Sequence, residues 1–382
     1  MLGNSNMGRT RVLLILGLCL AIGVIFFFGC SRQGVALSKA MLFAPQVFDI
    51  GVKPLEWITE DPVKERAYVP GGNRILEVDI YRPGSEGKFP AVLLFLGVAP
   101  ATPEDTRVIA LGQALARSGI VTLFYWSPQM SEGQIDIVDV DSLVTLFSFL
   151  QDREYVMPDK VGMGGFCVGA SFVLIAASDA KVRGEVAFVN SFGPYFDLRD
   201  VLVSVSSDQA IYKEDVRTWF PDALTQNTLR DHLIKDLHPN DRVAIKEALE
   251  SRDPLDSSEL ILSKEGLAVY RLLLGASLEE AIELLQSIPH ATLQSMDEIS
   301  PHNYVRYLEA PVLLMHDRND RLIPVEESRR LADYVSGYGD ITYTEYTNIF
   351  SHVSPTRSLS LQSISDILRL ISNMHAVMVQ MT

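Results

Sequence analysis

Cysteine is scarce in this chain: three residues in 382, at positions 19, 30 and 167. They stand in separate contexts, so no disulfide framework is implied, and a free thiol suits either redox compartment. Positive charge is also short. Thirty-three Lys and Arg face 48 Asp and Glu, for a formal net charge of −15, which argues against nucleic acid or an anionic lipid surface as a partner. There is no metal-ligand spacing, no phosphate-binding loop and no internal repeat, so neither a metal nor a cofactor is expected. The hydrophobic fraction, 47%, is ordinary for a globular chain.

Charge is missing altogether from Val12 to Ser31. Twenty residues at helical rise cover about 30 Å, one hydrocarbon thickness, and the run is long and uniform for a cleaved signal. The expectation is an uncleaved single-pass membrane anchor over 12–31, with a tail over 1–11, a stalk over 32–62 and an extracytoplasmic domain beyond. The alternative is a lipoprotein cleavage site at Phe28-Gly29-Cys30 with Cys30 lipidated. Phe27 stands where such sites usually carry leucine, which puts the anchor first. Arg9 and Arg11 before the run and Arg32 and Lys39 after it give little orientation.

The most informative stretch is Val161-Gly-Met-Gly-Gly-Phe-Cys-Val-Gly-Ala170. A short apolar run ends in glycines, Cys167 sits between Gly165 and Gly169, and an apolar helical run follows. A strand that turns sharply into a helix forces the turn residue into strained geometry and needs small residues two before and two after it. The turn lifts one side chain above the sheet edge at a helix N-terminus, where partial positive charge favours an anion. Taken alone, Gly-x-Cys-x-Gly equally describes a buried structural cysteine in a glycine-rich turn.

Two downstream segments complete a nucleophile–acid–base order. Pro311 opens a strand over Val312–Met315, and Asp320 then precedes Ile323-Pro324 and a helical run over 325–335. Spacing favours Asp320 as the acid over Asp317, which reads as a turn or cap residue, while Glu326 and Glu327 suit the first turn of the helix. A β-rich run, Ile341–Tyr346, leads to a loop with His352, 32 residues after Asp320. His316 reads as a packing residue, and His232, His238, His290, His302 and His375 as surface or satisfied histidines. A histidine can take the thiol proton, and a carboxylate on its far nitrogen fixes the tautomer. Donors for a developing oxyanion are expected from the backbone N–H of Val168 and from that of Val98, since Gly97 lets the chain turn and Pro100 has no N–H.

From about Val63 to Met374 the chain resembles the α/β-hydrolases, and its cysteine elbow is like that of the dienelactone hydrolase group. The resemblance implies a doubly wound, mostly parallel sheet, and the alternation of strands with helices agrees: strands at 91–96, 120–125 and 185–190, helices at 104–118 and 136–152, preceded by a hairpin over 66–83. Dienelactone hydrolases carry a glutamate on the strand leading to the oxyanion loop. The matching stretch here, Leu93-Leu-Phe-Leu-Gly97, has no acid. A second departure is length. The expected core occupies 63–191 and 308–382, separated by an insertion over 192–307 with helical spacing at 223–237, 241–251, 257–274 and 277–287 and breaks at Pro239, Pro254 and Pro289. In this family an insertion at that point forms a cap over the site; the other reading is a packing module distant from it. Two functions stay open: a hydrolase or acyltransferase acting on a small ester, thioester or lactone, and a silent binding or scaffolding protein that keeps the fold. Nothing in the sequence speaks to oligomeric state.

Overall fold

The structure is a computed structural model that describes residues 31–48, 53–98, 102–250, 261–352, 354–355 and 363–382. Eight strands form one sheet: β1 (Val63–Gly71), β2 (Arg74–Arg82), β3 (Phe89–Phe95), β4 (Val121–Trp126), β5 (Val156–Phe166) and β6 (Val189–Phe192), then β9 (Val312–Asp317) and β10 (Ile341–Tyr346). Between them, Gln209–Tyr212 (β7) and Asp215–Thr218 (β8) make a separate hairpin. The sheet order is β1-β2-β4-β3-β5-β6-β9-β10. The β1/β2 and β2/β4 pairs are antiparallel and the other five are parallel.

A parallel sheet must be covered on both faces, and β3 shows how the sequence manages this. Ala91, Leu93 and Phe95 join one apolar cluster, while Val92 and Leu94 join another. The flanking helices are α1 (Arg32–Phe48), α2 (Thr106–Arg117), α3 (Val138–Gln151) and α4 (Val168–Ala177). Helices α3 and α4 supply Leu143, Phe147, Phe172 and Leu174 to the first cluster. The second is closed by α1, α2 and the C-terminal helix through Ala36, Phe43, Val108, Val377 and Met378. The expected α/β architecture is therefore the one observed. The strand expected over 185–190 runs instead from Val189 to Phe192, because Met163–Phe166 of β5 pair with it in register. Residues 182–186 close a turn, with Val186 N–H donating to Val182 O at 3.2 Å.

The insertion between β6 and β9 contains α5 (Leu198–Ser207), the β7/β8 hairpin, α6 (Ala223–Ile234), α7 (Pro239–Glu250), α8 (Lys264–Leu274), α9 (Leu278–Leu285) and α10 (His290–Glu298). Asp197, Asp222, Ser263 and Ser277 each cap a helix start through the side chain. Pro239, read as a break, opens α7, where its missing N–H is one the helix leaves unpaired anyway. Helices α11 (Val325–Ser336) and α12 (Ile364–Met381) complete the core.

The N-terminal reading is corrected. Among the described residues no helix is long and apolar enough to cross a membrane, and residues 12–30, with Cys19 and Cys30, lie outside the described residues. The anchored, extracytoplasmic placement and its lipidated alternative are therefore not supported. The start of the expected stalk is helix α1, which packs along α12. Arg32 donates to Val379 O at 2.7 Å, and Ala36, Ala40 and Phe43 are buried. One side of the helix thus packs on protein, while Leu37 and Met41 on it are exposed.

Candidate active site

Each piece of the site stands at the C-terminal end of a parallel strand. Cys167 follows β5 and has φ 57° and ψ −133°, a left-handed conformation that costs a non-glycine residue energy. The neighbouring glycines make it possible. A Cβ at Gly165 would lie 2.4 Å from Gly169 O, and one at Gly169 would lie 2.3 Å from Phe95 O and 2.7 Å from Gly97 N. Elbow, helix α4 and the turn after β3 touch backbone to backbone. Cys167 N–H donates to Phe192 O at 2.9 Å, tying the elbow to β6. Gly97, at φ 77°, brings its main chain against the first turn of α4: a Cβ there would lie 3.2 Å from Val168 N. The N–H of Val168, in that first turn, has no partner within the helix.

Asp320 lies beyond β9 and is buried. Its Oδ1 accepts N–H donors from Leu322 at 2.7 Å and Ile323 at 3.1 Å. Oδ2 accepts Nδ1–H of His352 and lies 3.3 Å from His316 Nε2. Burial opposes the charge, but His352 and His316 outweigh it and hold the carboxyl well below the usual carboxylate range. Asp317 does something else. Its Oδ1 accepts the Asn319 N–H at 3.0 Å and its Oδ2 the main-chain N–H of His352 at 2.9 Å. His352, in the turn between residues 350–351 and 354–355, has φ 56°, so Asp317 grips the backbone where it is strained and Asp320 grips the ring. Burial raises the Asp317 pKa. His352 Nε2 makes no hydrogen bond among the described residues. Burial works against charge on this ring, yet Asp320, and after it Cys167, hold its pKa well above the ordinary imidazole value.

Cys167 opens into a cavity of about 40 Å³. Val98, Ile135, Val168, Tyr195, Leu322 and Ile323 line it from the core. Leu198 and Val201 of α5 and Leu224, Thr225, Thr228 and Leu229 of α6 line it from the insertion. Among the described residues the lining carries no charged side chain. The structure thus brings Cys167, Asp320, His352, Val98 and Val168 together at one place. His316 Nε2–H donates to Ile323 O at 3.0 Å and its Nδ1 shares a hydrogen bond with the Ser328 hydroxyl at 2.6 Å, so it braces the acid loop from below. His232 meets Ser295 Oγ at 3.0 Å inside the insertion. Sequence reasoning missed the hold of Asp317 on His352 and the contact of Trp219 with Asp320 O, 2.7 Å from Nε1. Neither had a signal in spacing, since each depends on loops meeting in space.

No protein-family model and no curated protein matches the chain. Among solved structures it is similar to the 2,6-dihydroxy-pseudo-oxynicotine hydrolase, with a TM-score of 0.51, 14% identity, and coverage of 83% of this chain and 68% of that one. It is also similar to an assigned dipeptidyl aminopeptidase IV from Bacteroides ovatus, with a TM-score of 0.50, 12% identity and 84% of this chain covered. The match takes in 36% of that larger protein, so the chain spans about a third of its length. At such identities the likeness is one of fold. The chain has the α/β-hydrolase fold.

Proposed function

We propose that the protein is a cysteine-dependent acyl hydrolase or acyltransferase that acts on a small ester, thioester or lactone. The observation that carries this reading is the pairing of His352 Nδ1–H with a buried, ionised Asp320 while its other ring nitrogen stands beside an elbow cysteine. Cys167 is the nucleophile, His352 the general base, and Asp320 the group that fixes the tautomer and stabilises the imidazolium. The cysteine elbow is also what supports a dienelactone hydrolase-like chemistry, with a substrate of its own given the acid-free β3. The insertion acts as a cap.

In the reaction, His352 Nε2 takes the thiol proton and the sulfur attacks the substrate carbonyl carbon. The carbonyl π electrons move to oxygen, and the N–H groups of Val98 and Val168 bind that oxyanion. Collapse breaks the bond to the leaving alcohol or thiol, which takes the proton from Nε2 and leaves a thioester on Cys167. Water, or an acceptor alcohol or thiol, then gives its proton to Nε2, attacks the thioester and restores the thiol. The uncharged cavity wall selects an apolar acyl group, because a buried unpaired charge costs several kcal/mol.

Incubation with p-nitrophenyl esters tests this directly. A mass increment equal to the acyl group should appear on Cys167, and Cys167→Ala should abolish both adduct and turnover. Straight-chain acyl esters should outperform those bearing a charged acyl group. An ester-inert protein whose Cys167 stays unmodified would favour the silent scaffold.

A further inference from the structure

The three peptide units that carry the carboxylate of Asp320 are each gripped on their far side by the insertion. The peptide between Asp320 and Arg321 presents its carbonyl to the indole Nε1–H of Trp219, at 2.7 Å. The next presents Arg321 O to the Asp222 N–H, also at 2.7 Å, and its own N–H, on Leu322, donates to Asp320 Oδ1. The third presents Leu322 O to the Thr225 hydroxyl at 2.8 Å, and its N–H, on Ile323, donates to the same Oδ1. Trp219 is buried and its own N–H donates to Asp208 O at 2.8 Å, so the indole is anchored at both ends. Arg321 returns a bond to Phe220 O at 3.3 Å.

Hydrogen bonds in series polarise one another: a carbonyl that accepts makes the N–H of its own peptide a stronger donor. Two of these peptides therefore reach the carboxylate with donors strengthened from behind. The first, held by Trp219, fixes the Cα of Asp320 itself. A loop between β9 and α11 without these partners would leave three carbonyls to water and the carboxylate on a movable hinge.

We infer that the insertion segment Trp219–Thr225 is a strap that positions the catalytic acid, with Trp219 its principal positioning residue. This deepens, and rests on, the triad reading above. Thr225 also lines the cavity at Cys167, so the element that shapes the acyl site is the element that holds the acid. The cap is thereby part of the triad's scaffolding as well as its lid.

The test is Trp219→Phe, which keeps an aromatic ring and removes the donor, alongside Thr225→Val and a control, Tyr212→Phe. Tyr212 bonds Asp333 on α11 at 2.8 Å and does not reach the acid loop. The readout is the titration of His352 by NMR, with kcat/KM on p-nitrophenyl acetate beside it. In the unchanged protein the imidazole should titrate above its ordinary value. In Trp219→Phe it should move back toward that value and kcat/KM should fall about tenfold, the scale of one buried hydrogen bond. Thr225→Val should shift both in the same direction, and Tyr212→Phe neither. An unchanged protein with an unshifted His352 would overturn the triad reading. A shifted His352 that Trp219→Phe leaves in place, even with a lower melting temperature, would overturn the strap alone.

Discussion

Gly169→Ala is a sharp test of the contact between the elbow and the turn after β3. A methyl there would sit 2.3 Å from Phe95 O, 2.8 Å from Phe95 C and 2.7 Å from Gly97 N. All three are backbone atoms, so no side chain can swing aside. Restoring ordinary contact requires a displacement of about 1 Å. Helix α4 is buried throughout and cannot retreat, so the Phe95–Val98 turn must move. Overpacking of this kind costs about 1–3 kcal/mol, and the upper end applies where backbone meets backbone. In a chain of this size that is a fall in Tm of about 4 °C at the upper end. The catalytic cost should be out of proportion, because the turn that moves carries the Val98 N–H. Losing one oxyanion donor lowers kcat by about 10²–10³. The comparison is Gly72→Ala: Gly72 has φ 67° and nothing within 4 Å of a built Cβ, so only left-handed strain of about 1 kcal/mol applies. Thermal denaturation followed by circular dichroism, paired with steady-state ester hydrolysis, separates the two. A Gly169→Ala variant that folds and keeps the kcat of Gly72→Ala would mean that this backbone contact does not position the Val98 N–H.

The division of labour between the two aspartates predicts that Asp320→Asn loses about 10²–10⁴ in kcat, and Asp317→Asn much less, since an amide oxygen can still accept the His352 N–H. His352→Ala combined with Asp320→Asn should be no slower than His352→Ala alone; additive losses, or an Asp317→Asn variant more damaged than Asp320→Asn, would move the acid. Linkage gives a further expectation. His352 has a raised folded pKa, so its stabilisation is complete below about pH 6.5, its unfolded value, and is lost as pH rises through the folded value. Asp320, lowered in the folded state, stabilises above about pH 3.9 and loses its contribution as pH falls below that. Urea midpoints from pH 6 to 9 should decline more steeply for the unchanged protein than for His352→Gln, and parallel curves would contradict the assignment.

What the sequence disclosed follows how local each feature is. Gly165, Gly169 and Gly97 were legible because a left-handed turn packed on backbone excludes every larger residue, whatever surrounds it. The unbroken apolar run of β3, with no polar position between Ala91 and Phe95, suits a strand covered on both faces. The β7/β8 hairpin was not legible, since neither strand alternates strongly over its four residues. Asp317 and Asp320 were separable by spacing only as acid and turn residue; that both hold His352, one by its ring and one by its main chain, depends on how the 350–355 turn folds back on β9. Trp219 lies 101 residues before Asp320, and no periodicity connects them. Helix α1 was hidden by the charge-free run before it, which drew the whole N-terminal region toward a membrane reading.

Helix α1 also decides where this protein can be cut. A fragment begun at Val63, the first residue of β1, would look complete by its strand content and would keep every residue of the site. It would also strip the cover from Val377, Met378 and Met381 on α12 and Val108 and Ala114 on α2, a continuous oily strip of the sort that drives molecules together in solution. Expression boundaries should therefore fall before Arg32, and a poorly behaved fragment starting at Val63 should be read as a missing lining, not as a failed sheet.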